Sequence, residues 1–190
     1  MKQYSYRSQK GFSLLEILTA LAIISIILAM AILNYGSILP NFKANSAMDQ
    51  LLYRLRSARE QAIAHRREVQ VEFVGNNQIR ITEIWLTGTA PPPNTYSFEG
   101  GAQYIQFTGV GDTPMVFGNV APVYFGGQSP GPPMMKFTTN GSFIDGGNTL
   151  VNGTVFMGIP GRASTARAIT ILGATGRVRE YHWDGTQWQE

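Results

Sequence analysis

Glu16 is the only charged side chain in a run of twenty-two residues, Phe12 to Leu33, that is otherwise dominated by Leu, Ile and Ala. A carboxylate one turn inside such a run costs about 2.5 kcal/mol or more in a bilayer core, so it calls for a partner and a function. A second group with chemical potential lies near the C-terminus, Gly176-Arg177-Val178-Arg179. Guanidinium groups two apart on a strand point to the same face and suit phosphates, and Arg162 and Arg167 could join them. Little else suggests catalysis. His65 and His182 are the only histidines and there is no cysteine. No HExxH, nucleophile elbow, phosphate loop or metal-ligand cluster accompanies them, and Asp145 with its neighbouring glycines lacks the carboxylate ladder of a calcium loop. Both histidines read as structural or solvated. The chain reads as a non-enzyme without metal or cofactor.

The element that must position Glu16 is a helix. Twenty-two residues at 1.5 Å each reach roughly 33 Å, enough to cross a bilayer core. Ahead of it lie ten mostly polar residues with Lys2, Arg7 and Lys10 and no acid, the kind of basic flank that stays cytoplasmic. A secretory leader would have an apolar core of about 7 to 15 residues ending in a small-residue cleavage site. Here a cut at Gly11/Phe12 would precede the apolar run and leave it on the mature chain. A plain signal anchor with a stray Glu is the alternative.

The stretch Lys10-Gly11-Phe12-Ser13-Leu14-Leu15-Glu16 resembles the class III signal of type IV pilins and type II secretion pseudopilins. The resemblance implies that a prepilin peptidase cuts after Gly11 and methylates the new N-terminus, Phe12. It also implies that Glu16, fifth in the mature chain, serves assembly by facing the N-terminus of a neighbouring subunit. Physical chemistry agrees, because a cut at Gly11 creates an ammonium on Phe12 and a buried carboxylate needs such a cation.

The formal charge of +3 invites a nucleic-acid reading. Lys2, Arg7 and Lys10 account for all of it, leaving twelve bases and twelve acids beyond the leader. The distribution is uneven: residues 34–67 carry +4 and residues 68–190 carry −3. A basic stem under an acidic head could pair between subunits. A solvated helix face explains the stem equally well.

Beyond the bilayer the helix is expected to continue, loosened or kinked at Gly36 and Pro40. Ala44, Met48, Leu51, Leu55, Ala58 and Ala62 then mark one apolar stripe at spacings of three and four, read as packing on the head's own sheet, with a free coiled coil as the alternative. Alternation in Val69, Val71 and Phe73, a Gly75-Asn76-Asn77 turn and a return through Ile79 and Ile81 predict a β-hairpin. Residues 87–101, with Pro91-Pro92-Pro93, read as an exposed loop. Tyr104–Phe107, Val116-Phe117 and Val123–Phe125 read as short strands, and Gly126 to Pro133 as a second loop. Met135–Thr138, Thr154–Ile159, Ala168–Leu172 and Arg177–Tyr181 complete the strands. A long helix on a mostly antiparallel sheet is an α+β layout.

The order Phe137, Asn140-Gly141-Ser142, Val155-Phe156, Ala168 to Ile171 and Gly176-Arg177-Val178-Arg179 resembles the H-type minor pseudopilin family, written GspH/FimT. That resemblance implies a pilin-like fold divided into a cytoplasmic leader (1–11), a transmembrane and assembly helix (12–34), a periplasmic helical stem (35–67) and a β-rich head (68–190). It implies a single-pass subunit of the bacterial inner membrane that helps initiate, cap or connect a type IV pilus or a type II secretion pseudopilus. Its partners would be the prepilin peptidase, other pilin or pseudopilin subunits and the membrane. FimT-like minor pilins also suggest DNA binding through Gly-Arg-x-Arg, with Arg177, Arg179, Arg162 and Arg167 on phosphates and Tyr181, Trp183 and Trp188 stacking on bases. The alternative for that motif is a tight turn entering an edge strand. A bitopic binding module that never assembles is a third reading.

Overall fold

The computed structural model describes residues 11–126 and 135–190, apart from the side chains at 33–35 and 37. The leader residues 1–10 and most of the expected Gly126 to Pro133 loop lie outside the described residues. The chain divides into two compact units, Met1–Leu39 and Pro40–Glu190. One helix, α1 (Leu14–His65), runs through both ranges. The expected loosening at Gly36 and Pro40 does not end it. A proline removes a single ladder donor, and the turns on either side keep theirs.

In the first unit, Leu14–Ile32 is long and apolar enough to cross a membrane, and every side chain in it is exposed. Its hydroxyls are satisfied within the helix: Thr19 Oγ1 donates to the Glu16 carbonyl and Ser25 Oγ to that of Leu21. Such back-bonding leaves neither hydroxyl in the span needing water, and Glu16 remains as its one charged side chain.

In the second unit, the predicted stripe is the centre of the core. Ala44, Leu51, Leu55, Ala58 and Ala62 are fully buried and Met48 nearly so, with Ala47 and Leu52 beside them. Two antiparallel sheets share that core rather than the one expected. The first has the order β3-β2-β1-β6-β7, from β1 (Val69–Val74), β2 (Gln78–Glu83), β3 (Asn94–Ser97), β6 (Met135–Phe137) and β7 (Phe143–Ile144). The second has the order β11-β10-β9-β8-β4, from β4 (Gln103–Tyr104), β8 (Gly153–Gly158), β9 (Arg167–Leu172), β10 (Arg177–Trp183) and β11 (Trp188–Gln189), with β5 (Val123–Phe125) also paired to β8. Val69, Val71, Ile79 and Phe137 from the first sheet meet Val155, Met157, Ile169, Ile171 and Val178 from the second around the helix stripe. Period-2 alternation sends the intervening side chains to the outer face of the second sheet. There Phe156, Ala168, Tyr181 and Trp188 form a second cluster with Val110 and Ala166.

Several local expectations change. Residues 94–97, expected to be loop, form β3, where Ile79 pairs with Tyr96 and Arg54 stacks on the Tyr96 ring at 3.6 Å. The preceding prolines mask a four-residue strand whose partners lie thirteen to nineteen residues away. The Tyr104–Phe107 strand shortens to Gln103–Tyr104, and β11 was not foreseen. Val116-Phe117 is not a strand, since Val116 takes φ 52°.

Helix α1 ends as expected near His65. Arg66 adopts φ 52°, its N–H donates to the Ile63 carbonyl and the Arg67 N–H to that of Ala62. This is a Schellman cap with arginine where glycine is usual. A left-handed non-glycine residue costs about 1–2 kcal/mol. Arg66→Gly should therefore raise stability by about 1 kcal/mol in denaturant unfolding, whereas an unchanged midpoint would mean the cap carries no strain.

Candidate functional site

At the N-terminus, Ser13 precedes the first helical residue, and its Oγ accepts the Glu16 N–H at 3.2 Å. Ser13 is thus the N-cap and Glu16 the third helical residue, the Ser-x-x-Glu spacing of a capping box. A carboxylate in the first turn also complements the helix dipole. Gly11 and Phe12 lie just outside the helix, with Phe12 80% exposed. The expected cut would leave Phe12 and Ser13 as the only residues ahead of the helix. Lys2, Arg7 and Lys10 lie outside the described residues.

The four C-terminal arginines do not form one patch. Arg177 is exposed at the start of β10. Arg179 shares its face but is tied to Glu190 at 3.2 Å. Arg162 belongs to the β8–β9 connection, at the other end of β9 from the turn that precedes Arg177. Arg167 is buried on the opposite face, against the stem. Its Nε donates to Asn45 Oδ1 at 2.7 Å, Nη1 to the Ala166 carbonyl at 2.8 Å and Nη2 to Asn41 Oδ1 at 3.5 Å. A buried guanidinium is tolerable only when its donors are satisfied this way, and burial lowers its pKa. The expected stacking surfaces are also occupied: Tyr181 and Trp188 are buried, and Trp183 packs edge-on against Trp188 at 5.3 Å.

The Gly-Arg motif instead meets the stem. Arg59 of α1 donates its Nε to the Gly141 carbonyl at 3.1 Å and to the Thr175 carbonyl at 3.0 Å. It pins the β6–β7 and β9–β10 turns to one helical turn. Gly176 has φ +60°, and a Cβ there would lie 2.0 Å from the Gly141 oxygen. The glycine is therefore required by backbone packing. The clamp brings Arg56, Arg59 and Glu60 of the stem beside Thr175, Gly176, Arg177 and Val178 around a cleft of about 500 Å³. Sequence reasoning missed Arg56 and Arg59. Their i, i+3 spacing off the apolar stripe was the available signal, but nothing local connects them to residues 141 and 175.

The histidines have ordinary surroundings. His65 lies 3.4 Å from Glu83, which Arg67 also approaches at 3.5 Å. His182 is held below the usual imidazole pKa, first by burial and then by Arg167, with Glu180 and Asp49 opposing.

Comparison with known proteins bears on the first of these sites. Residues 6–32 match the prokaryotic N-terminal methylation motif. The chain therefore carries that motif, spanning Gly11, Phe12 and Glu16. The comparison with curated proteins finds no match to the chain. Among solved structures, the type IV minor pilin FimU of Pseudomonas aeruginosa is similar at 16% identity, over 77% of this chain and 92% of that one, with a TM-score of 0.48. The minor pseudopilin EpsH from the Type 2 Secretion System of Vibrio cholerae is similar at 14% identity, over 74% and 97%, with a TM-score of 0.46. These likenesses are distant, so the functional conclusion rests on the motif and the residues around it.

Two outcomes test the geometry. Gly176→Ala should cost about 3 kcal/mol in unfolding free energy, from overpacking and a left-handed φ together, while Arg177→Ala stays within about 0.5 kcal/mol of the parent. A depressed folded pKa means that the unfolded chain binds His182's proton more readily. Stability from this group is therefore full above an unfolded imidazole value of about 6.5 and declines as pH falls through the folded value. Unfolding midpoints of His182→Gln should lack that decline.

Proposed function

We propose that the chain is a structural subunit, a minor pilin or pseudopilin of a type IV pilus or a type II secretion pseudopilus. It is held in the bacterial inner membrane by Leu14–Ile32, with its head in the periplasm. A prepilin peptidase cuts after Gly11 and methylates Phe12, and the subunit enters a filament of pilin-type partners to initiate, cap or connect it. The observation that carries this reading is the methylation motif over residues 6–32 with a lone carboxylate five residues beyond the glycine. The new Phe12 ammonium of one subunit and Glu16 of another supply the two charges that a low-dielectric filament core requires to be paired. The work is assembly rather than catalysis.

A second reading, a pilus-tip DNA receptor using Arg177 and Arg179, draws on Arg177 being exposed beside Arg56. Arg179's pairing with Glu190 and the burial of Arg167 speak against a continuous phosphate track.

Expression in a bacterium with a prepilin peptidase tests the structural reading. Mass spectrometry should find a mature chain beginning at N-methylated Phe12, and Gly11→Val should leave the leader attached. Glu16→Ala should be processed yet disappear from the sheared filament fraction. Full-length chains retaining residues 1–11 in the parent would refute the proposal, and a processed Glu16→Ala that still assembles would remove the role given to Glu16.

A further inference from the structure

The cleft between the stem and the β9–β10 turn is preorganised for an anion, and nothing in the N-terminal processing or helix-mediated assembly uses it. Arg56, Arg59 and Arg177 converge on it, with Glu60 as the one carboxylate in its lining. Arg56 and Arg177 are exposed and make no ion pair with the described residues. Four other cations are paired with carboxylates: Arg80 with Glu72, Lys136 with Glu68, Arg67 with Glu83 and Arg179 with Glu190. The cleft is also rigid. Arg59 holds both turns by their carbonyls, and Gly176 sits where no side chain fits. A guanidinium presents a planar fork of donors that matches a carboxylate, where a lysine offers a point charge.

We propose that this cleft receives an acidic side-chain cluster from the head of a neighbouring pilin-type subunit. The proposal rests on the filament reading for the presence of that neighbour. Charge distribution points to the partner. Residues 34–67 of this chain carry +4 and residues 68–190 carry −3, so a subunit of similar build staggered along a filament brings an acidic head against this basic stem. Head-to-tail contacts of this kind join two different surfaces and repeat along an axis. A nucleic acid fits less well. Its backbone presents a continuous row of charges, whereas Glu60, Glu180 and Glu190 flank Arg177 and Arg179 and interrupt any such row.

The test uses the full-length chain in detergent micelles, titrated at low salt with a fluorescent hexaglutamate peptide and, separately, with a short DNA duplex. The peptide should bind, and salt should weaken it. Arg56→Gln/Arg177→Gln, which leaves the Arg59 clamp intact, should weaken binding about tenfold. Glu60→Gln should strengthen it severalfold, a change of sign that misfolding does not mimic. Peptide binding unchanged in the double variant would overturn the site. So would DNA that binds more tightly than the peptide and displaces it, and that outcome would favour the nucleic-acid reading. The N-terminal mass of the same preparation separates the two layers of argument. A methylated Phe12 without peptide binding removes the cleft alone, and an unprocessed N-terminus removes the filament and the proposed partner with it.

Discussion

Burial of the α1 stripe from Ala44 to Ala62 is the interaction on which the second unit depends. Neither sheet is wide or regular enough to close on itself: β4, β7 and β11 are two residues long, and β5 and β6 three. Both sheets turn their apolar sides toward the same helical face, and the three layers share one set of contacts. The small residues on the stripe, Ala44, Ala47, Ala58 and Ala62, let strands approach the helix closely, while Met48, Leu51 and Leu55 fill the middle. With no cysteine in the chain, that packing holds the fold without covalent help.

The N-terminal half of α1 obeys the opposite constraint. Its described apolar side chains, from Leu14 to Ile32, are exposed, so the segment is suited to lipid or to other helices. Glu16 serves two physical ends there. Its backbone N–H takes the Ser13 cap, and its carboxylate stands at the positive end of the helix dipole. The same charge, moved into a low-dielectric surrounding, then demands an external cation. Local folding and the proposed assembly thus ask for an acid at the same position.

The arginines show how far environment outweighs residue type. Arg167 is a buried strut between β9 and the stem, Arg59 a clamp on two turns, Arg179 half of an ion pair and Arg177 an exposed cation. The Gly-Arg-Val-Arg sequence reads as a phosphate motif when only strand alternation is considered. In the fold, its glycine answers to the Gly141 carbonyl and its first arginine belongs with Arg56 of the helix.

The chain's local regularities were legible without coordinates. The membrane-length helix, the 44–62 stripe, the first hairpin and the strands from 153 to 183 follow from apolar spacing and turn residues, because those signals act over a few residues. The methylation motif over residues 6–32 is legible for the same reason, since such a motif is read along the chain. What only the tertiary structure decided are relations between distant segments: the division of the strands into two sheets, the pairing of β3 across a proline-rich loop, the burial of Arg167 and the meeting of Arg56 and Arg59 with residues 141 and 175–177. Each depends on contacts between residues far apart in sequence, and side-chain burial and pairing are set by those contacts rather than by neighbours in the chain.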